Sequence, residues 1–369
     1  MSGQFYIGLM SGTSIDGIDA ALVNIDDHHT QLIHAISTPI ASSLQQQLLA
    51  FCHDSTAEID QLGACDRALA EHFAAAVDEL CQQAQIAHDR IRAIGSHGQT
   101  IRHRPDSQHG GPFTWQMGDP NVIAYLTGID TVADFRRMDL AAGGQAAPLA
   151  PLFHQAFFSN PNTNRTIINI GGISNATWLA EQSELIGFDL GPGNALMDAW
   201  TTQHTGAAFD NNGQWAASGK AHQGLLEELL KHPFFAKPPP KSTGREDFNQ
   251  TWLQRHLSEF DLEPVDVQAT LLELTARSIC QGLKPDYLGQ EVYVCGGGAY
   301  NGTLMHRLQS LLENVPVGDT RKLGIAPDWV EACGFALLAH RRLECIASNC
   351  PSVTGSRKAS VLGGLYIAQ

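Results

Sequence analysis

The chain has 369 residues, 43% of them hydrophobic and 17% charged, with a formal net charge of −15. This suits a folded protein with a sizeable core, built as two domains or one large one. The acidic balance repels a phosphate backbone, so nucleic acid is not an expected partner.

The opening segment predicts strand, tight turn, strand: "FYIGLM" and "IDAALVNI" are apolar, and "SGTSIDG" between them is turn chemistry. "LQQQLLAFCHD" and "IDQLGACDRALAEHFAAAVDELCQQAQI" place apolar residues three and four apart, which predicts helices. "IRAIGSHGQTI" predicts a buried strand entering a Gly-rich turn, "DPNVIAYLTG" a short helix and "DTVADF" a strand. A second cycle starts near residue 165. "RTIINIGGISNATWLA" is again strand, turn, strand, and "LIGFDLGPGNALMDAWTTQHT" is strand, Gly-rich turn, helix. Residues 220–232 and 247–281 predict helices, with the proline-rich "HPFFAKPPPKSTGRE" extended between them. "EVYVCGGGAYNGTLMHRLQSLLE" is a third strand, triple-Gly turn and helix, and "DWVEACGFALLAHRRLE" closes the chain as a helix. Alternating strands and helices argue for α/β, and the recurring hairpin argues for duplication.

Eight cysteines, at 52, 65, 81, 280, 295, 333, 345 and 350, fit neither a zinc spacing nor a disulfide framework. Reduced thiols in a cytoplasmic protein are therefore expected. No apolar run approaches the ~20 residues that span a bilayer, and no signal peptide is expected from the N-terminus.

The chemistry concentrates in turns. In "SGTSIDG", Gly12 and Gly17 permit positive φ and close approach, while Thr13 and Ser14 add hydroxyl donors. Backbone N–H groups in such a loop form an anion nest. Asp16 and Asp19 suit an anion site only with a cation, which Mg²⁺ carried by ATP supplies; Asp16 is the expected metal contact. An ordinary hairpin turn explains this loop equally well. "NIGGISN", with Gly171 and Gly172, is a second hairpin of the same kind, for which a plain turn is the commoner explanation. Asp189 ends a short apolar strand before Gly191-Pro192-Gly193, and Asn194 is placed to cap the next helix. A carboxylate on such a scaffold is well placed as a general base, although an Asp can also bond its own turn. "GSHGQTIRHRP" carries His97, Gln99, Arg102, His103 and Arg104, and "VADFRRMDLAAGGQAAPLAP" carries Asp134, Arg136, Arg137, Asp139 and Gln145. Arg forks suit a carboxylate or sugar, though a surface salt bridge is the commoner role of any single Arg. Gly296, Gly297 and Gly298 sit between a strand and a helix, a context that suits a nucleotide, without the dinucleotide G-x-G-x-x-G pattern. Glu331 is charged on a helix that otherwise predicts burial.

Taken in order, these segments resemble the actin and sugar-kinase ATPase superfamily, and more closely the anhydro-N-acetylmuramic acid kinase family. "GLMSGTSIDGIDAAL", "GSHGQTI", "ADFRRMDLAAGGQ", "NIGGISNAT", "GPGNALMDAW", "KSTGRE", "CGGGAYN" and "DWVEACGFALLAH" carry the resemblance across almost the whole chain. Two positions depart from the family pattern: Leu190 stands where Thr is common, and Ala146 where Gly is common. The resemblance implies a two-lobed actin/hexokinase-like fold, each lobe a mixed β-sheet flanked by helices. The expected lobes are 1–133, with the extreme C-terminus packing back on it, and 134–369. It implies ATP binding by Gly12, Thr13, Ser14, Ile15, Asp16, Gly17, Ile18, Asp19, Gly171, Gly172 and Gly296–Gly298, with Mg²⁺ as cofactor. His97, Gln99, Arg136, Asn194 and Glu331 are the expected substrate contacts.

The implied reaction takes 1,6-anhydro-N-acetylmuramic acid, ATP and water to N-acetylmuramic acid 6-phosphate and ADP, in bacterial cell-wall recycling. Asp189 would activate a water that attacks C1, and the released O6 would accept the γ-phosphoryl group. Lobe closure would limit ATP hydrolysis by water. The expected partners are the amino sugar, ATP and a second copy of the chain, with no nucleic acid or membrane. The alternatives are a hydroxyl sugar kinase of the same fold, a non-catalytic ATP-gated actin-like binding protein, and a glycoside hydrolase using Asp189 and Glu331.

Overall fold

The computed structural model describes residues 3–12, 15–26, 30–53, 56–106, 110–181, 184–244, 246–283 and 285–369. They form two compact units: Met1–Phe157 with Trp329–Gln369, and Phe158–Asp328.

In the first unit, β1 (Gln4–Met10), β2 (Gly17–Ile25) and β3 (Thr30–Pro39) form an antiparallel meander. The helices α1 (Ser42–His53) and α2 (Ile59–Ala84) follow, then β4 (Ile91–Ser96), which pairs parallel with β1. The hairpin β5 (Gln99–Arg104) and β6 (Phe113–Met117) stands apart as its own small sheet. Next come α3 (Pro120–Thr127), β7 (Thr131–Ala133), α4 (Arg137–Ala141) and α5 (Ala150–Phe158). Strand β7 lies parallel to β4. β1 is buried almost continuously from Tyr6 to Leu9, as a strand covered on both faces must be. The α2 residues Leu69, Phe73, Val77 and Leu80 form its buried apolar stripe.

In the second unit, β8 (Arg165–Ile170), β9 (Ile173–Leu179) and β10 (Ile186–Pro192) form another antiparallel meander. The helices α6 (Ala195–Thr205), α7 (Gln214–Ser218), α8 (Gln223–Leu230), α9 (Gln250–Leu257) and α10 (Pro264–Leu283) precede β11 (Glu291–Cys295). After α11 (Gly302–Leu312) comes β12 (Val317–Asp319), and both β11 and β12 run parallel to β8. The chain then returns to the first unit as α12 (Val330–Leu343), α13 (Pro351–Thr354) and β13 (Gly364–Tyr366), the last pairing antiparallel with β7.

The strand orders are β13-β7-β4-β1-β2-β3 and β10-β9-β8-β11-β12. Without the added β13, each is a three-stranded meander extended by two parallel strands on the side of its first strand. This is the duplicated mixed-sheet plan of the actin/hexokinase-like fold, and it repeats the strand-turn-strand recurrence visible in the sequence.

The units do not divide at 133/134. Residues 134–157 stay with the first unit, and so does the whole of 329–369 rather than the extreme C-terminus alone. The reason is α12. A Cβ on Gly8 or Gly95 would strike the α12 backbone at Ala332 or Phe335, so the helix lies directly on β1 and β4. Phe335 then stacks near Phe135 and Phe153, with ring centroids 5.6 and 5.5 Å away. The largely helical stretch expected over 247–281 consists of two helices, α9 and α10, separated by residues 258–263.

Candidate active site

The turn between β1 and β2 holds the first predicted phosphate loop. Thr13 and Ser14 lie outside the described residues. Ile15, not a glycine, takes the left-handed conformation there, with φ 54°. Its N–H bonds the Gly12 carbonyl at 3.2 Å, and its side chain is fully buried, as is that of Ile18. Gly17 instead opens β2 as extended backbone. Asp16 is exposed at the turn, and Asp19 sits on β2 opposite Met10. Ser11, absent from the expected contacts, is buried, and its Oγ has no hydrogen-bond partner among the described residues. A buried hydroxyl without a partner calls for an explanation, and a ligand oxygen supplies one.

The predicted sugar contacts of the first unit cluster at the ends of β4 and α12. His97 follows β4 and is buried, with its ring 4.6 Å from that of Phe335. Arg136 donates from Nε to His97 Nε2 at 3.1 Å and from Nη1 to the Ala146 carbonyl at 2.7 Å. Burial, then the adjacent guanidinium, pushes the imidazole well below its ordinary pKa and keeps it neutral. Burial likewise pushes Arg136 down to about 10, opposed by Glu331. Glu331 occupies the first turn of α12 between buried Val330 and Ala332, with its own side chain reaching solvent. Surrounding protein desolvates its carboxyl and raises its pKa; Arg136 opposes this and Asp19 adds to it. Asp19, Arg136 and Glu331 therefore form one electrostatic group. Gln99 is buried at the start of β5, and its Oε1 has no partner among the described residues.

Asp189 lies on β10 opposite Asn175, where the register slips before Gly191. Its backbone N–H donates to the Lys241 carbonyl at 3.0 Å. Its Oδ2 accepts the Thr243 N–H at 2.9 Å and the Ser242 hydroxyl at 3.1 Å. Burial raises its pKa, and those two donors hold it back. The segment "KSTG", given no role by the sequence reading, is thus the clasp of the predicted base. The sequence marks this segment through the family resemblance alone, and its spacing does not point to Asp189.

The second hairpin is tied to the start of α6. Gly193 and Ala195 donate to the Gly172 carbonyl at 2.9 and 3.2 Å, and Asn194 donates to the Gly171 carbonyl at 2.8 Å. Asn194 does not cap α6 with its side chain; its amide donates to the Ile170 carbonyl at 3.3 Å instead. The hairpin tip competes for the cap position and wins. Gly296 has φ 74°, and a Cβ on it or on Gly298 would strike the end of β8. These two glycines serve packing. Gly297 faces a cavity of about 500 Å³ that Asn194, Met197, Phe209, Asn212 and Tyr300 also line. Phe209 and Tyr300 are 60% and 44% exposed, so flat aromatic faces are available there. The structure therefore groups Asn194 with Gly297, while His97, Gln99, Arg136 and Glu331 belong to the first unit.

The described residues contain no group of three or more His, Cys, Asp or Glu that could hold a metal ion by themselves. Mg²⁺ ordinarily needs only one or two carboxylates when phosphates supply the rest. Asp16 and Asp19 on the first hairpin fit that pattern. Among the described residues no helix is long and apolar enough to cross a membrane.

The family model described as anhydro-N-acetylmuramic acid kinase matches residues 4–368. A protein of that name from Saccharophagus degradans is 51% identical over 369 residues, covering 99% of this chain and 100% of that protein. Another, from Shewanella baltica strain OS185, is 50% identical over 371 residues, covering both chains fully. A third, from Shewanella pealeana, is 49% identical over 370 residues, again covering both fully.

Proposed function

We propose, because the chain belongs to the anhydro-N-acetylmuramic acid kinase family, that it opens the 1,6-anhydro bridge of anhydro-N-acetylmuramic acid and phosphorylates the freed O6 from ATP. The products are N-acetylmuramic acid 6-phosphate and ADP, a step of peptidoglycan recycling. The observation that carries the mechanism is Asp189, a partly buried carboxylate clasped on one oxygen by neutral donors. Such a group is rigid, and its raised pKa makes it a stronger base than a solvated Asp. Asp189 takes a proton from water, and the hydroxyl adds to C1. The C1–O6 bond breaks, and O6 keeps the electron pair. O6 then attacks the γ-phosphorus, ADP leaves, and Asp189 returns its proton to solvent.

The remaining residues bind and orient. The Gly12–Asp19 segment and Gly171–Gly172 would hold the phosphates. Gly296–Gly298 would border the adenosine, supported by the aromatic-lined cavity at Gly297. Mg²⁺, held by Asp16 and Asp19 with the phosphates, would supply charge neutralisation. His97, Gln99, Arg136, Asn194 and Glu331 would contact the sugar, with Arg136 the natural partner of its carboxylate. Thiols at all eight cysteine positions fit the reducing cytoplasm this reading places the enzyme in. The reading includes a homodimer, for which the exposed apolar side chains of Tyr125 and Ile367 offer contact surface.

Turnover in ¹⁸O-water tests the order of bonds. Label is expected on the C1 hydroxyl and not on phosphate, with inversion at C1 before mutarotation, since water attacks opposite the leaving O6. Label on phosphate would mean separate ATP hydrolysis. Retention at C1 would mean a covalent sugar intermediate and a different role for Asp189.

A further inference from the structure

Asp139, in α4, is a fully buried carboxylate whose hydrogen-bond donors are neutral. Its Oδ1 accepts the Asn349 side-chain amide at 2.8 Å and the Thr354 hydroxyl at 2.9 Å. Its Oδ2 accepts the Ala146 N–H at 2.7 Å. A buried charge is costly unless its oxygens are satisfied, and an apolar residue usually serves packing as well or better. So this carboxylate calls for a reason beyond packing.

The reason lies one bond further on. Ala146 is fully buried and held in the left-handed region, with φ 59°. A non-glycine residue stays there only where its surroundings over-determine it. Asp139 fixes its N–H, and its carbonyl accepts Arg136 Nη1 at 2.7 Å. Arg136 in turn donates from Nε to His97 at 3.1 Å. The C-terminal segment clamps the same loop from outside. Gln145 donates to the Thr354 carbonyl and Arg357 to the Ala142 carbonyl, both at 2.9 Å. A Cβ on Gly144 would meet the Asp139 carboxylate and, at 2.8 Å, Ser356.

We propose that Asp139, buttressed by Asn349 and Thr354 of the C-terminal segment, is the positioning residue for Arg136, aiming its guanidinium at the carboxylate of the sugar. Asp139 orders the Ala146 carbonyl, that carbonyl and His97 orient the Arg136 fork, and the fork meets an anionic substrate group bidentately only when its plane is fixed. The C-terminal segment is thus part of substrate recognition without touching substrate. This rests on Arg136 being a sugar contact, as proposed above.

Thr354→Val keeps the side-chain shape and removes one donor to Asp139. The expected result is a three- to tenfold rise in KM for the anhydro-sugar, with kcat and the KM for ATP within twofold. Thr354→Ser returns the hydroxyl and is expected to restore the sugar KM. Asn349→Ala, which removes the other donor to the same oxygen, should move the sugar KM in the same direction. A second readout is the ¹⁵N spectrum of His97. Arg only donates, so Nε2 is the acceptor and Nδ1 carries the proton; Thr354→Val should mix the two tautomers. Arg136→Lys separates the proposal from the reading beneath it. A tenfold or greater rise in sugar KM for Arg136→Lys, with unchanged sugar KM and His97 signals in Thr354→Val and Asn349→Ala, would make Asp139 a purely structural residue and overturn the proposal. An unchanged sugar KM in Arg136→Lys would remove Arg136 from the sugar site, and the proposal with it.

Discussion

Gly193 and Gly171 face each other across the second hairpin, and methyl groups on the two should have different effects. A Cβ on Gly193 would strike the Gly171 carbonyl oxygen, and would lie 3.2 Å from the Ile173 carbonyl carbon. Both are backbone, so neither can rotate away. The hairpin tip would have to retreat, stretching the three bonds of 2.9, 2.8 and 3.2 Å that tie it to Gly193, Asn194 and Ala195. Each such bond contributes about 0.5–1.5 kcal/mol net, so losing all three costs about 1.5–4.5 kcal/mol. At about 2–4 °C per kcal/mol, Gly193→Ala should lower the melting temperature by several degrees or more. A Cβ on Gly171 meets only the Ile173 carbonyl oxygen, at an ordinary 3.8 Å. Gly171→Ala should therefore melt like the parent, yet crowd a phosphate held at the tip. Differential scanning fluorimetry and steady-state kinetics on both variants test this. The expected pattern is a lower melting temperature for Gly193→Ala, and for Gly171→Ala a KM for ATP raised about tenfold with the sugar KM unchanged. Parental melting in Gly193→Ala would refute the packing argument, and an unchanged ATP KM in Gly171→Ala would refute the phosphate role of the hairpin.

Asp189→Asn keeps the shape of the base and cannot accept the proton. We expect kcat to fall about 10²-fold or more with parental melting, and near-parental turnover would remove Asp189 from the chemistry. Burial raises the Asp189 pKa, and the base works only when ionised. Activity should thus fall, as pH drops, at a higher pH than an ordinary Asp would give. Ser242→Ala, which removes a donor favouring the ionised form, should move that acidic limb higher still; a limb that stays put in kcat against pH would uncouple Ser242 from the base. Phe209→Ala should raise the KM for ATP several-fold and spare the sugar KM, and equal nucleotide affinity by calorimetry would place the adenosine outside that cavity.

The strands that carry the site were legible because their signals are local. The pairs β1–β2 and β8–β9 are apolar runs around Gly-rich turns, and the strand carrying Asp189 is legible in the same way, although β10 continues past Asp189 to Pro192 instead of ending there. Elements set by distant partners were not legible. β13 is three residues long and exists through its pairing with β7, far away in sequence. The place of α12 in the first unit depends on Gly8 and Gly95, whose missing side chains make sense only with the helix lying on them. Turn chemistry misled in one direction only: glycine was credited with the bend at 12–17, but Ile15 takes the positive φ, anchored by its burial. The Asp189 clasp was hidden for a similar reason. Ser242 and Thr243 are more than 50 residues from their partner, and nothing in their spacing points to it.

The environments of Asp189 and Glu331 also bear on which chemistry the chain can perform. A glycoside hydrolase needs one carboxyl kept protonated as acid and one kept ionised, so its two environments must push the pKa values apart. Here desolvation by surrounding protein pushes both upward, and in both the opposing groups favour the anion. For Asp189 these are a backbone N–H and a hydroxyl, donors that leave the carboxylate as an acceptor. For Glu331 the opposing group is the Arg136 cation, which favours the anion without cancelling the upward shift. With both carboxyls pushed the same way, the two do not form the opposed acid and base pair of a glycoside hydrolase. A leaving group that needs no proton resolves this. O6 of the anhydro sugar is such a group when it departs as an anion and bonds to phosphorus, because phosphoryl transfer then replaces the general acid.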